Sequence, residues 1–161
     1  AGHMERTIET ARQMGATVES LEEGIRVSVR GRPHPICLET GPYPEFPTDM
    51  QSVMMAAASI ADGTSRIQEN VFENRFCAAK ELQKLGAHII IENKLAVVDG
   101  VNALKGTRMA AEDLRGGAAL AVAALAADGT SFLDGYEHIS RGYEDIRSDL
   151  AGVGARISLI G

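Results

Sequence analysis

The period of apolar and polar positions changes several times along the chain, and each change marks an element. Over residues 5–14, Ile8, Ala11 and Met14 recur at helical spacing until Gly15 stops the run. Residues 17–21 and 25–30 predict a hairpin around Glu22-Glu23-Gly24, with Val27 and Val29 alternating against Ser28 and Arg30 as on a half-buried strand. All five prolines fall within residues 31–47 and predict irregular backbone there, apart from a short strand at Ile36-Cys37-Leu38. Residues 49–61 predict a helix that is apolar nearly all round, a pattern that belongs in an interior. A strand over 64–71, a charged helix over 76–85 and a hairpin of 88–92 with 95–98 around Asn93-Lys94 follow. The last third predicts a strand over 108–111, a second alanine-rich helix over 113–127, a strand over 131–136, a helix over 141–153 and a closing strand over 156–160.

This order repeats. Ala61-Asp62-Gly63-Thr64-Ser65 recurs 66 residues later as Ala127-Asp128-Gly129-Thr130-Ser131, and the same offset sets Asp49 opposite Arg115 and Arg75 opposite Arg141. Met14-Gly15-Ala16, Leu85-Gly86-Ala87 and Val153-Gly154-Ala155 mark one helix-to-strand corner three times. Self-similarity at a fixed period predicts stacked units that bury their faces on one another. The expected units are the tail of one over 5–30, a second over 31–98 and a third over 99–161. Each has the order βαβαββ, so the fold class is α/β with buried apolar helices and sheets outside, an inside-out barrel arrangement. Beginning part-way through a unit predicts an incomplete domain of a longer protein, with partly uncovered apolar helix faces and self-association as the consequence.

Composition narrows the partners. With 161 residues and 45% hydrophobic content the chain can bury one sizeable core. A net charge of −6 and a pI near 5.2 argue against nucleic acid or an anionic membrane surface. Residues 116–127, the most apolar run, are too few to span a bilayer. Cys37 and Cys77 form no short-spaced metal motif, and His34, His88 and His138 lack metal-site spacing, so neither metal nor cofactor is expected. Two free thiols suit a reducing cytoplasm, although a single disulfide is also compatible with the sequence. Ala1-Gly2-His3-Met4 reads as an expression-tag remnant and is set aside.

The candidate chemistry centres on Glu45-Phe46-Pro47-Thr48-Asp49-Met50-Gln51. Pro47 biases Phe46 toward extended backbone, and Thr48 or Asp49 can cap the following helix. Asp49 can alternatively face a pocket as a base. Arg75, Arg115 and Arg141 stand near helix starts, where they can pair with Glu73 or Glu144 or hold an anionic ligand.

Phe46-Pro47-Thr48-Asp49-Met50-Gln51, Val71-Phe72-Glu73-Asn74-Arg75-Phe76, Asp113-Leu114-Arg115 and His138-Ile139-Ser140-Arg141-Gly142-Tyr143-Glu144, in that order, resemble the UDP-N-acetylglucosamine enolpyruvyl transferases. The resemblance runs from about Glu5 to Gly161. It implies a cytoplasmic enzyme of peptidoglycan precursor synthesis that moves the enolpyruvyl group of phosphoenolpyruvate to UDP-N-acetylglucosamine. It further implies a two-domain protein with its site in the cleft. The N-terminal domain, with its acid-bearing loop, would be missing here and the isolated chain inactive. By the same resemblance Asp49 is the base and a sugar ligand, the main chain at Val71 meets the N-acetyl group, and Arg115 and Arg141 bind phosphoenolpyruvate. Phe72, Arg75 and Asp113 would support them. Glu45 stands where such proteins often carry glycine, and Gly116-Gly117 where Ala-Ser is common; the latter change is expected to leave packing untouched. The rival readings are the sister enzymes that make enolpyruvylshikimate phosphate, and a binding module that kept the fold without the chemistry.

Overall fold

A computed structural model of the chain describes residues 4–160, so Ala1, Gly2 and His3 of the expected tag remnant lie outside the described residues. The first helix, α1 (Glu5–Gln13), turns Thr7, Thr10 and Met14 inward, a face displaced from the one its apolar residues suggest, while Ile8 and Ala11 stay half-buried. Next, β1 (Thr17–Leu21) and β2 (Gly24–Ser28) form the expected antiparallel hairpin. Every residue of β2 is exposed, and Val27 remains 55% accessible, so the strand is not half-buried: no second layer covers either face.

The central sheet has the order β3 (Cys37–Glu39), β4 (Thr64–Gln68), β6 (Leu95–Asp99), β5 (His88–Glu92). Between β3 and its parallel neighbour β4 the chain passes through a 3-10 turn (Thr48–Met50) and α2 (Gln51–Ala58). Strand β4 is antiparallel to β6, and Asn93 at φ +55° closes the tight β5–β6 hairpin. A charged helix, α3 (Ala78–Lys84), bridges β4 and β5 with Ala78, Ala79 and Leu82 buried. In the last third, β8 (Arg108–Ala110), α4 (Leu114–Leu125) and β10 (Phe132–Asp134) make a second parallel β–α–β crossover. A two-residue strand β7 (Leu104–Lys105), which pairs in parallel with β9 (Ala127–Asp128), has no counterpart in the sequence-based expectation.

The core lies where α2 and α4 pack on each other and on the sheet, around Met55, Ile67, Leu82, Leu85, Leu104, Met109 and Leu120. Alanine and glycine allow the close approach. Both helices are covered along most of their length, α4 leaving Leu125 49% exposed at its last turn; further exposed apolar side chains lie on the hairpin and at Val153, Leu159 and Ile160. Arg32 ties the end of α2 to the chain after β6, donating to the carbonyls of Ile60, Ala61, Gly100 and Val101 and to Asn102. The three Gly-Ala corners share one geometry. Gly15, Gly86 and Gly154 all have φ between +90° and +100°, and the alanine after each donates to the carbonyl five residues back.

Two expectations near the C-terminus fail. The helix expected over 141–153 begins only at α6 (Ile146–Gly152), because Asp145 accepts from the Arg147 and Ser148 N–H groups and caps it there, and a short helix α5 (Tyr136–Ser140), absent from the sequence reading, precedes it. Residues 156–160 form no strand: no neighbouring strand takes up their N–H and C=O groups, and Leu159 and Ile160 are exposed.

Candidate functional site

The 3-10 turn puts Asp49 on the wall of a cavity of about 440 Å³, a size suited to a small-molecule ligand. Val71, Phe72, Arg75 and Arg115 also line the cavity, together with Arg6 of α1 and the loop from Gly41 to Glu45. Neither Thr48 nor Asp49 caps α2, contrary to the local reading of that dipeptide. The carboxylate of Asp49 instead accepts from Arg75 Nη2 at 2.8 Å and from Arg115 Nε. Arg115 comes from the first turn of α4, 66 residues away in sequence. Its hydrogen bond does most to hold the Asp49 carboxyl below its ordinary value, with Arg75 adding to that pull and burial opposing it. The same bond raises the Arg115 guanidinium.

Each partner is held from behind. Asp113 caps α4 by accepting from the Arg115 and Gly116 N–H groups, both at 2.8 Å, which fixes the start of Arg115. Arg75 lies with its guanidinium 5.0 Å from the Phe72 ring centroid, a cation–π contact, and its buried Nε finds no partner among the described residues. Glu73 and Glu144, the nearer carboxylates in sequence, pair with neither arginine among the described residues.

Glu69 was not among the candidates, yet it supports the whole wall. It is only 1% exposed. Oε1 accepts from the N–H groups of Val71 (2.8 Å) and Phe72 (3.0 Å), and Oε2 from the Thr48 hydroxyl (2.9 Å). Burial pushes its carboxyl up, but these bonds and one from Thr40 outweigh burial and keep it below the ordinary value. The same bonds end the strand expected over 64–71 at Gln68, since the chain must turn for two successive N–H groups to reach one carboxylate. A signal was present: Ser65 and Ile67 face inward, and the two-residue period puts Glu69 on that face.

Arg141 does not join the cluster. It is exposed, with Nη2 3.2 Å from His138 Nδ1, and does not line the cavity. Its loop is nevertheless adjacent, because Gly142 packs against Leu114 at the start of α4. Cys37 and Cys77 are free and exposed. No described helix is long and apolar enough to cross a membrane.

The α/β fold sets one carboxylate between two guanidiniums at a ligand-sized cavity, and guanidiniums so placed have the chemistry to hold an anionic group. The chain belongs to the EPSP synthase (3-phosphoshikimate 1-carboxyvinyltransferase) family, which matches residues 2–150. A protein of Anaeromyxobacter sp. (strain K) named UDP-N-acetylglucosamine 1-carboxyvinyltransferase is 49% identical over 157 residues, 98% of this chain and 37% of the relative. One of the same name from Desulfofundulus thermocisternus is 49% identical over 155 residues, which is 64% of its length. The enolpyruvyl transferase NikO from Streptomyces tendae superposes with a TM-score of 0.85 at 30% identity, over 95% of this chain and 36% of that one. An EPSP synthase from Acinetobacter baumannii, at 20% identity and TM-score 0.66, shares the fold. The chain thus spans little more than a third of most of these proteins.

Proposed function

We propose that this chain is part of an enolpyruvyl transferase acting on UDP-N-acetylglucosamine and phosphoenolpyruvate, a cytoplasmic enzyme of peptidoglycan precursor synthesis. The observation that carries the reading is the Asp49–Arg75–Arg115 cluster on the cavity wall. In the reaction a sugar hydroxyl gives its proton to Asp49 as its oxygen bonds to C2 of phosphoenolpyruvate. C3 takes a proton from an acid, which a second domain would supply. The C2–O bond to phosphate then breaks with its electron pair leaving on phosphate, and C3 gives a proton back to the conjugate base of that acid, leaving the enolpyruvyl ether and free phosphate.

The depressed carboxyl of Asp49 makes it a weak base while both arginines hold it. Arrival of the phosphate and carboxylate of phosphoenolpyruvate would draw Arg115 away and restore its basicity. Arg141, on the loop beside Leu114, would join that anion site from outside the cavity. Because Glu69 already occupies the Val71 and Phe72 N–H groups, the acetamide contact falls to the Val71 carbonyl, which takes the ligand's N–H. The two β–α–β crossovers, with Asp49 and Arg115 at matching positions, support repeated units of an inside-out barrel.

The 161-residue chain by itself spans 37% of the Anaeromyxobacter relative and is expected to release no phosphate from the two substrates without the rest of the proposed cleft. In an intact enzyme carrying this sequence, Asp49→Asn should still bind UDP-N-acetylglucosamine while transfer falls about a hundred- to ten-thousandfold. Arg141→Ala should weaken phosphoenolpyruvate use, and the exposed Arg30→Ala should change little. Normal turnover by Asp49→Asn would refute the base assignment.

A further inference from the structure

Among the described residues Glu69 is the sole charged side chain in the buried set, and the proposed chemistry gives it no reacting atom to touch. We propose that Glu69 is a positioning residue that sets two ligand-facing segments at once, the Val71–Phe72 backbone and the Thr48–Asp49 turn. The proposal rests on reading the cavity as a sugar-nucleotide site. Its two oxygens divide the work: Oε1 takes the two N–H groups of the chain leaving β4, and Oε2 takes the hydroxyl of the turn that bears Asp49. The carboxylate is itself pinned. Its own N–H donates to the Lys94 carbonyl at 2.8 Å, and the next N–H, of Asn70, donates to Thr40 Oγ1 at 2.9 Å.

No ion pair reaches Glu69 among the described residues, so its charge is balanced by oriented dipoles alone. Burying a carboxylate in this way is a costly route to stability, and an apolar residue such as Ile67, two positions earlier on the same face, would hold the core with less penalty. What an apolar residue cannot do is orient the donors of both ligand-facing segments. Movement of either segment would therefore be felt at the other, so Asp49 and Val71 present one rigid surface to a ligand.

The test reads amide exchange in the 161-residue chain, and affinity for UDP-N-acetylglucosamine as probe in an intact enzyme carrying this sequence. Glu69→Gln keeps the shape, can still accept at one oxygen, and can donate to a rotated Thr48 hydroxyl. Amide exchange at Val71 and Phe72 should nonetheless rise about tenfold or more, because bonds to a charged acceptor are the stronger ones. Exchange in the β5–β6 hairpin should stay unchanged, and affinity for the probe should fall by about tenfold. Glu69→Ala should move both readouts further. Thr48→Ser, which keeps the hydroxyl, should behave as wild type, whereas Thr48→Val should loosen the Asp49 turn. Unchanged exchange at Val71 and Phe72 in Glu69→Gln, or an equal rise across the whole chain, would overturn the proposal. So would raised local exchange with undiminished probe affinity. If the intact wild-type enzyme shows no probe-dependent shift at Asp49 or Val71, the sugar-nucleotide reading fails while the exchange pattern still decides the role of Glu69.

Discussion

Replacing Asp49 with asparagine should turn the chain into a better binder of anions, although the same change removes the proposed base. Arg75 and Arg115 both spend hydrogen bonds on the Asp49 carboxylate, so an incoming phosphate must compete with a tethered anion. The Asp49 side chain is 57% exposed, which limits each pair to the solvent-screened range of about 0.2–1 kcal/mol. Two such pairs amount to about 0.4–2 kcal/mol, or a gain of roughly 2- to 30-fold in anion affinity once the competitor's charge is gone. The asparagine oxygen can still accept one hydrogen bond, so the lower half of that range is expected. Isothermal titration of phosphate and of phosphoenolpyruvate at pH 7 and low salt measures it directly. The gain should shrink at about 1 M salt, where screening acts over roughly 3 Å. Arg115→Met added to Asp49→Asn should return affinity to the wild-type level or below. Equal or weaker binding by the single variant would refute the idea that Asp49 occupies the arginines.

Three further outcomes follow from the geometry. Asp113→Ala removes the α4 cap, so the chain should lose about 1 kcal/mol and melt roughly 2–4 °C lower; an unchanged melt would mean that the cap contributes nothing. A Cβ on Gly117 would sit 2.5 Å from Ile139 Cγ1 and 3.0 Å from Ala111 Cβ. Gly117→Ala should therefore cost about 1–3 kcal/mol of overpacking against about 1 kcal/mol of helix propensity gained, while Gly116→Ala, with its nearest neighbours at 3.1 and 3.5 Å, should be neutral or stabilising. Equal melting shifts for the two would refute the packing argument. Asp49 and Glu69 both have folded-state carboxyls below their ordinary values, so their contribution is complete above the unfolded values of about 3.9 and 4.3 and is lost as pH falls through the folded ones. Urea melts between pH 7 and 3 should show stability falling on the acid side, with a shallower slope in Glu69→Gln.

Local features of the chain were legible without coordinates because they depend on near neighbours. The periodicity of residues 49–61 and 113–127 was enough to mark two interior helices, and the Gly-Ala corners needed only glycine's access to positive φ at Gly15, Gly86 and Gly154. The motifs around Asp49, Val71, Arg75 and Arg115 identified residues that do share one cavity. Through-space competition decided the rest. Asp49 had a helix start beside it, yet guanidiniums 26 and 66 residues away took its carboxylate. Glu69 belongs to no motif, and its role emerges only where donors from the Val71–Phe72 backbone and the Thr48 turn converge on it. Asp145 set at residue 146 the start of a helix that side-chain period alone would have begun at 141, and residues 156–160 kept a strand's composition without finding a strand to pair with. A residue's type sets which bonds it can make. Which one it does make depends on the partners that the fold brings within about 3 Å.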